Sequence, residues 1–248
     1  MITRATPPKV RVRVLDDARA VAQAAADLIA EAAREKPDIV IAWPTGQTPI
    51  PMYEELARRH AAGEVDLSRA RAFNLDELAL PPSDPRTFRS FMERHAWERI
   101  GLRRELCDIP NGTAPDLDAE CRRYEDAIAA AGGLDLALLG VGVDGHIAYN
   151  MPGPIGMETH VTLLPDALAA SLDVPAADRP LRAITMGIDT IRAARRIVVL
   201  ATGAPKATAV VRLVRGPKDS QWPCSFLAGH PSVDLLADPG AASGLAIR

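Results

Sequence analysis

The sequence lacks several features that would assign a protein to a class at once. Of its 248 residues only three are cysteines, Cys107, Cys121 and Cys224. Because they are odd in number and far apart, we do not expect a disulfide framework. We expect a reduced, cytoplasmic protein instead. No uninterrupted run of about 18 apolar residues is present, so no transmembrane helix is predicted. Residues 1–15 contain no apolar core followed by a small-residue cleavage site, so no signal peptide is predicted either.

A strong excess of one charge and metal-binding spacings are also missing. The net charge is −3, from 29 basic and 32 acidic residues, which argues against a basic face that binds nucleic acid. No Cys-x-x-Cys or His-x-x-x-His spacing occurs, so no metal site is predicted. The composition, 48% hydrophobic and 25% charged, is typical of an ordinary globular protein. The length allows one large domain or two small ones, and we expect a single domain over 1–248.

The sequence does contain an alternation of short apolar runs and helical segments. Strands are predicted at 10–15, 38–43, 70–73, 134–139, 196–201 and 233–237. Helices are predicted at 17–35, 50–60, 86–100, 117–131, 185–195 and 205–214, the fourth with Asp116 as its N-cap. Such alternation indicates an α/β fold with a mainly parallel sheet and helices on both faces. Residues 151–180 have the least regular pattern and suit a lid over a binding site.

The residues after the predicted strands are candidate site residues, because ligands of open α/β sheets bind at the carboxyl ends of the strands. Strand 38–43 is followed by residues 44–49 (PTGQTP) and then a helix. Gly46 permits an unusual backbone angle, and the hydroxyls of Thr45 and Thr48 with the free amides of the helix start form an anion pocket. The motif is not a Walker A loop. A plain strand-to-helix turn is the alternative interpretation.

Acidic groups and a histidine follow two other strands. Asp76 and Glu77 come after strand 70–73, and because adjacent side chains point apart, only one of them can face a site. A carboxylate there could move a proton between neighbouring carbons. After strand 134–139, Asp144 and His146 are two residues apart in a glycine-rich turn, so the carboxylate could orient the imidazole. Solvated loop acids and a structural histidine are the alternatives.

Lys206 stands in the first turn of the helix predicted after strand 196–201. It is one of only four lysines among the 29 basic residues. A cation in the first turn of a helix is unfavourable for the helix dipole, and its position is easier to understand if it meets an anion such as a sugar phosphate. A solvent-facing lysine is the alternative.

These four turns, in this order, resemble those of the glucosamine-6-phosphate deaminase/isomerase family, which is related to the 6-phosphogluconolactonases. Residues 44–56 (PTGQTPIPMYEEL) are similar to the family's phosphate loop. Residues 73–78 (FNLDEL) look like its FN-L/M-DEY segment, and residues 140–153 (GVGVDGHIAYNMPG) look like its G-x-G-x-DGHIAFNEPG segment. Residues 111–125, 183–207 and 220–231 resemble further family segments, so the resemblance covers most of the chain.

The resemblance implies a modified Rossmann-like, three-layer fold and a cofactor-free reaction that converts a hexosamine 6-phosphate to a ketose 6-phosphate and ammonia. By position, Asp76 would move the proton between C1 and C2, while His146 would assist ring opening with support from Asp144. The phosphate would be held by Gly46, Gln47, Thr48 and Lys206. The expected partner is a small sugar phosphate, with no nucleic acid and no membrane. Assembly into a homo-oligomer stays open.

Two departures from the family pattern keep other functions open. Met151 stands where the family has its relay glutamate, and a thioether cannot accept or donate a proton. The family's lid carries arginines, one of which reaches the phosphate, whereas residues 157–174 contain none; His160 is the residue there that could substitute. The alternatives are a 6-phosphogluconolactonase-type hydrolase, in which His146 would activate water, and a sugar-phosphate-binding protein without turnover.

Overall fold

The computed structural model describes residues 10–176 and 179–245. Its strands, in chain order, are β1 (Arg11–Val14), β2 (Val40–Trp43), β3 (Arg71–Asn74), β4 (Asp76–Leu78), β5 (Cys107–Asp108), β6 (Leu136–Gly140), β7 (His160–Leu163), β8 (Arg182–Thr185), β9 (Arg196–Ala201) and β10 (Val233–Ala237). Its α-helices are α1 (Ala18–Glu35), α2 (Ile50–Ala61), α3 (Phe88–His95), α4 (Leu117–Ala130), α5 (Asp166–Ser171), α6 (Ile188–Arg192) and α7 (Ala207–Arg215). Short 3-10 helices include Trp97–Ile100 and Ala204–Lys206.

The main sheet has seven parallel strands in the order β1-β10-β9-β6-β2-β3-β5. Strand β2 shows why both faces are covered: Ile41 and Trp43 belong to the core that α1, α2 and α3 close. Val40 and Ala42 belong to the core on the opposite face, closed by α4 and α7. A strand that is apolar on both faces is typical of a parallel sheet with helices on each side. The predicted three-layer α/β fold is confirmed.

Helix starts follow local capping rules. The Asp17 carboxylate accepts a hydrogen bond from the amide of Ala20, at 2.8 Å, where α1 begins. Asp116 does the same for the amide of Ala119, at 2.9 Å, at the start of α4. A side-chain oxygen in this position satisfies one of the amides that a helix start leaves without a partner. The N-cap predicted at Asp116 is therefore confirmed.

A second, three-stranded antiparallel sheet with the order β4-β8-β7 was not predicted. It corrects the helix predicted at 185–195, because Thr185 is the last residue of β8 and pairs with Asp76, while α6 begins only at Ile188. The helix predicted at 86–100 is also too long. Helix α3 ends at His95, where Ala96 (φ −127°, ψ −98°) breaks the helical backbone before the 3-10 turn.

Residues 151–180, predicted as the least regular part, contain strand β7 and helix α5. Residues 177 and 178 lie outside the described residues. Strand β7 pairs with β8 in antiparallel register, so much of this segment is fixed by the second sheet. Among the described helices, none is both long enough and apolar enough to cross a membrane.

Candidate active site

The turns after four neighbouring strands meet at one edge of the main sheet. Strands β9, β6, β2 and β3 are adjacent and parallel, so their carboxyl ends lie side by side, which is where ligands bind in open α/β sheets. A cavity of about 330 Å³ opens there. Its wall includes seven of the eight predicted site residues, namely Thr45, Gly46, Gln47, Thr48, Asp76, His146 and Lys206. The eighth, Asp144, contacts His146 directly.

The loop after β2, residues 44–49, presents polar groups that have no partner in the part of the chain that the structure describes. Gly46 has a φ of +96°, in the left-handed region that favours glycine. Pro49 is the N-cap of helix α2 and supplies no side-chain cap. The hydroxyl of Tyr53 donates to the Pro44 carbonyl oxygen at 2.6 Å, which holds the loop in place. Within the described ranges, the side chains of Thr45 and Thr48 make no hydrogen bond. An uncapped helix start with free hydroxyls is suited to an anion.

Asp76 places a buried carboxylate in the same cavity. Strand β3 ends at Asn74, and the chain turns into β4, where Asp76 pairs with Thr185 of β8. The residue is only 5% exposed, and its Oδ1 has no hydrogen-bond partner among the described residues. Burial, and to a lesser degree the charge of Glu77, raise the pKa of Asp76 to about 8. A carboxyl group that titrates near neutral pH is well matched to proton transfer.

The neighbouring carboxylate of Glu77 points away and organises α3 instead. It accepts hydrogen bonds from the amides of Leu78, Phe88 and Arg89 at 2.7, 2.8 and 2.9 Å. Burial raises the pKa of Glu77, and these hydrogen bonds oppose that shift. The two adjacent acids thus have separate surroundings, and only Asp76 faces the cavity.

Asp144 and His146 form a close pair in the turn after β6. The imidazole Nδ1 donates to Asp144 Oδ1 at 2.6 Å, and this hydrogen bond holds the pKa of the Asp144 carboxyl below its usual range. The pair fits because residue 142 is glycine: a Cβ at Gly142 would lie 2.1 Å from His146 Nδ1 and 2.5 Å from Asp144 Oδ1. With Nδ1 occupied, Nε2 is the ring nitrogen left for a ligand in the cavity.

Lys206 supplies the cavity's positive charge. Among the described residues it is the only lysine or arginine in the wall. Its ammonium group donates to the Val141 carbonyl oxygen, which fixes the side chain beside the turn that carries the Asp144–His146 pair. Burial lowers the pKa of Lys206, and the charge of Asp144 opposes that shift.

The remaining wall is apolar and was not predicted. Leu168 of α5 and Leu172, which caps it, line the cavity from the predicted lid. Phe88 and Tyr149 stack with their ring centroids 5.6 Å apart, and Ala148 completes this side. The sequence did hold a signal for the two leucines, because a spacing of four residues places both on one side of a helix.

Met151, which stands in the place of the relay glutamate, and His160, the candidate substitute for a lid arginine, both lie outside the described cavity wall. His160 is not part of the described cavity wall, and its Nδ1 is 2.9 Å from the Glu158 carbonyl oxygen on the exposed side of β7. The structure therefore does not bring His160 to the place of a lid arginine. Met151 is half-buried and packs against the core closed by α1, α2 and α3.

A metal is not suggested by the side chains of this edge. Within 10–176 and 179–245, no group of three or more His, Cys, Asp or Glu side chains is arranged to hold a metal ion. The cofactor-free reaction stays a prediction.

Fold and site together define a class of protein. It is an α/β enzyme in which a buried carboxylate, the Asp144–His146 pair and the loop of residues 44–49 surround one small cavity. Residues 16–235 match the family described as glucosamine-6-phosphate isomerases/6-phosphogluconolactonase. The chain belongs to this family.

Individual relatives agree with the family match. The glucosamine-6-phosphate deaminase of Pseudarthrobacter chlorophenolicus is 44% identical over 241 residues, which cover 95% of this chain and 93% of that protein. The deaminase of Thermoanaerobacter pseudethanolicus is 40% identical, with 88% of each chain covered. A solved monomeric glucosamine-6-phosphate deaminase superimposes with a TM-score of 0.89 at 37% identity, over 95% of this chain and 100% of that one.

Lactonases share the fold. The 6-phosphogluconolactonase of Trypanosoma brucei superimposes with a TM-score of 0.77 over 96% of this chain and 99% of that one, but at 22% identity. Such a likeness supports the fold and carries no argument about the reaction.

Proposed function

We propose that the protein is a glucosamine-6-phosphate deaminase, which converts the amino-sugar phosphate to a ketose 6-phosphate and ammonia. The observation that carries the proposal is that Asp76, whose Oδ1 has no partner among the described residues, shares one cavity with His146 and with the loop of residues 44–49. The proposal is also supported by relatives of this name at 40–44% identity over most of the chain.

The phosphate binds at one end of the cavity. The backbone amides of Gly46, Gln47 and Thr48 and the hydroxyl of Thr45 face the phosphate oxygens, and Lys206 adds the charge. These phosphate contacts are remote from the reacting carbons, C1 and C2. Binding energy at the phosphate therefore fixes C1 and C2 between Asp76 and His146, where it contributes to lowering the barrier.

The reaction begins with ring opening. Nε2 of His146 takes the proton of the C1 hydroxyl and delivers it to the ring oxygen as the bond between C1 and that oxygen breaks, which gives the open-chain aldehyde. Asp144 accepts the hydrogen bond from Nδ1 and so holds the imidazole in place.

Asp76 then acts as the base on the open-chain aldehyde. The Asp76 carboxylate removes the proton from C2 while a proton moves from the C2 ammonium group to the carbonyl oxygen at C1, which gives an enolamine with a C1–C2 double bond. The same carboxyl group returns the proton to C1, which leaves an imine at C2. Water adds to the imine and expels ammonia, so the product has a ketone at C2. A positioned base contributes about 10²- to 10⁴-fold to such a step.

One panel of assays tests the proposal. The protein is incubated with glucosamine 6-phosphate, galactosamine 6-phosphate and 6-phosphogluconolactone, while ammonia, ketose and acid are measured. We expect ammonia from glucosamine 6-phosphate, and a loss of roughly 10²- to 10⁴-fold in Asp76→Asn. Asp118→Asn, an exposed carboxylate on α4, is the matched control and should retain the wild-type rate.

The same panel can contradict the proposal in two ways. Acid from the lactone alone would make the protein a lactonase, a reaction that needs no glutamate relay and is therefore compatible with Met151. Tight binding of a sugar phosphate without any product would make it a binding protein.

We further propose one domain over 1–248, with residues 151–180 as its lid. Leu78 and Ala183 of the second sheet belong to the same core as Ile41 of the main sheet, and α5 contributes Leu168 to the cavity. A single, coincident urea transition by fluorescence and circular dichroism is expected, and two separate transitions would contradict it.

We also propose a cytoplasmic location, because Cys107, Cys121 and Cys224 are free; cell fractionation tests it. Assembly into a homo-oligomer stays open. Light scattering gives the number of subunits.

A further inference from the structure

Buried side-chain polar atoms at the carboxyl ends of β2 and β3, and on Asp76 just beyond β3, have no hydrogen-bond partner among the described residues. They are the indole Nε1 of Trp43, both side-chain amide atoms of Asn74, and Oδ1 of Asp76 itself. Trp43 and Asn74 are fully buried. Buried polar atoms in folded proteins nearly always have a partner, and where protein groups do not supply it, an enclosed water does so.

The topology places these groups together. Trp43 and Asn74 are the last residues of the adjacent strands β2 and β3 and are Cα partners in the parallel pairing. Their side chains therefore project from the same face of the sheet. That face is the one closed by α1, α2 and α3, because Trp43 and Ala72 belong to its core. The amide of Leu75 donates to the Trp43 carbonyl oxygen at 3.2 Å, which keeps the two strands in register up to the residue before Asp76.

Tyr53 packs beside the indole of Trp43, and the charge of Asp76 acts on its hydroxyl. Its ring centroid is 5.8 Å from that of Trp43. Burial and, after it, the charge of Asp76 raise the pKa of the Tyr53 hydroxyl. Tyr53 thus adjoins Trp43 and lies within the electrostatic range of Asp76.

We propose that Asn74 and Trp43 enclose a water molecule that hydrogen-bonds to Oδ1 of Asp76, and that Asn74 is thereby a positioning residue for the base. This inference rests on the proposed function, in which Asp76 moves the proton. The indole N–H donates to the water, and the water donates to Oδ1. The side-chain amide of Asn74 has two N–H donors and one acceptor oxygen. It donates one hydrogen bond to the water and accepts the water's second one.

The arrangement stabilises the ionised form of Asp76. A hydrogen bond donated to a carboxylate favours its charged state, so removal of the water raises the pKa of Asp76 and moves the acid limb of the pH profile upward. A substitution at position 74 leaves the other titratable groups around Asp76 unchanged. They are Glu77 in β4, Tyr53 in α2, Tyr124 in α4, Tyr149 after β6, and His146 and Lys206 in the cavity wall.

The test is the pH profile of kcat/KM for ammonia release in Asn74→Leu. We expect the acid limb to move up by about one pH unit, which is a tenfold fall in kcat/KM below the limb. Above the limb the wild-type rate should return. A role in folding alone would lower the rate by the same factor at every pH, and that result would overturn the proposal.

Two tryptophan variants keep the proposal testable if Asn74→Leu fails to fold. Trp43→Phe keeps an aromatic ring and removes the N–H, so the limb should move in the same direction. Trp97→Phe is the matched control, because Trp97 is also a buried indole whose Nε1 has no partner among the described residues, but it lies in the 3-10 helix Trp97–Ile100. Equal profiles for the two variants would contradict the inference.

A measurement without turnover separates this inference from the proposed function. Infrared titration follows the protonated carboxyl stretch of Asp76, assigned by its loss in Asp76→Asn. We expect the midpoint to rise by about one unit in Asn74→Leu and to rise in Trp43→Phe but not in Trp97→Phe. If the wild type releases no ammonia, the proposed function fails, and the shift of the infrared midpoint still tests the water site. If the midpoint is unchanged in the variants, the water site alone is overturned.

Discussion

At the scale of single residues, the Asp144–His146 pair depends on the missing side chain of Gly142. In Gly142→Ala the new Cβ would lie 2.1 Å from His146 Nδ1, so the imidazole must move away from Asp144. We expect kcat/KM for ammonia release to fall by about 10²-fold. The thermal midpoint should change little, because the pair is partly exposed.

The control for this prediction comes from the same turn. Val143→Ala truncates a side chain that is 55% exposed and outside the described cavity wall, and its rate should match the wild type. A Gly142→Ala enzyme with the wild-type kcat/KM would show that the close pair is not needed.

Met151 allows a gain of function to be tested. In Met151→Glu a carboxylate stands where the family has its relay glutamate, and on that resemblance we expect a higher kcat for ammonia release, although Met151 itself lies outside the described cavity wall. Met151→Gln has nearly the same shape without the charge and should show no gain. An unchanged rate in Met151→Glu, with an intact fold by circular dichroism, would remove position 151 from the mechanism.

At the scale of elements, the lid helix gives the cavity an apolar wall. Leu168 and Leu172 line the cavity, and Lys206 is its only described lysine or arginine, so a phosphate dianion is incompletely balanced. In Leu172→Arg a second cation faces the cavity. We expect the KM for glucosamine 6-phosphate to fall roughly threefold to tenfold, as a partly exposed charge pair allows.

The matched control lies in the strand before the lid helix. Leu163→Arg adds the same charge to β7 at a position that is 57% exposed and outside the described cavity wall. Its KM should stay at the wild-type value. Equal KM values for both arginine variants would show that long-range charge, rather than contact with the phosphate, is responsible.

Strands and helices could be predicted where a local sequence pattern specifies them. Strand β2 is apolar at every position, and α4 has its Asp116 cap, so both could be identified from the sequence. Strand β4 has three residues and β5 has two, which is too short for a periodic pattern. These strands exist because distant segments pair with them, as Asp76 does with Thr185, and such pairing is absent from local sequence.

At the scale of the whole molecule, the site is a product of strand order. The turns after β2, β3, β6 and β9 come from distant parts of the chain, and the order of the parallel sheet makes them neighbours. The carboxyl-edge rule was enough to predict that Asp76, His146 and Lys206 share one place. It did not predict the burial of Asp76, nor the leucines above the cavity, because both depend on packing between the two sheets and the lid.

The most direct measurement is a crystal structure with the open-chain alditol analogue of glucosamine 6-phosphate, which cannot be isomerised because it has no carbonyl group. The account predicts that C1 and C2 lie between Asp76 and His146, with the phosphate on the amides of residues 46–48 and on Lys206. A reversed ligand, with its phosphate beside Asp76, or a ligand bound outside this cavity would contradict it.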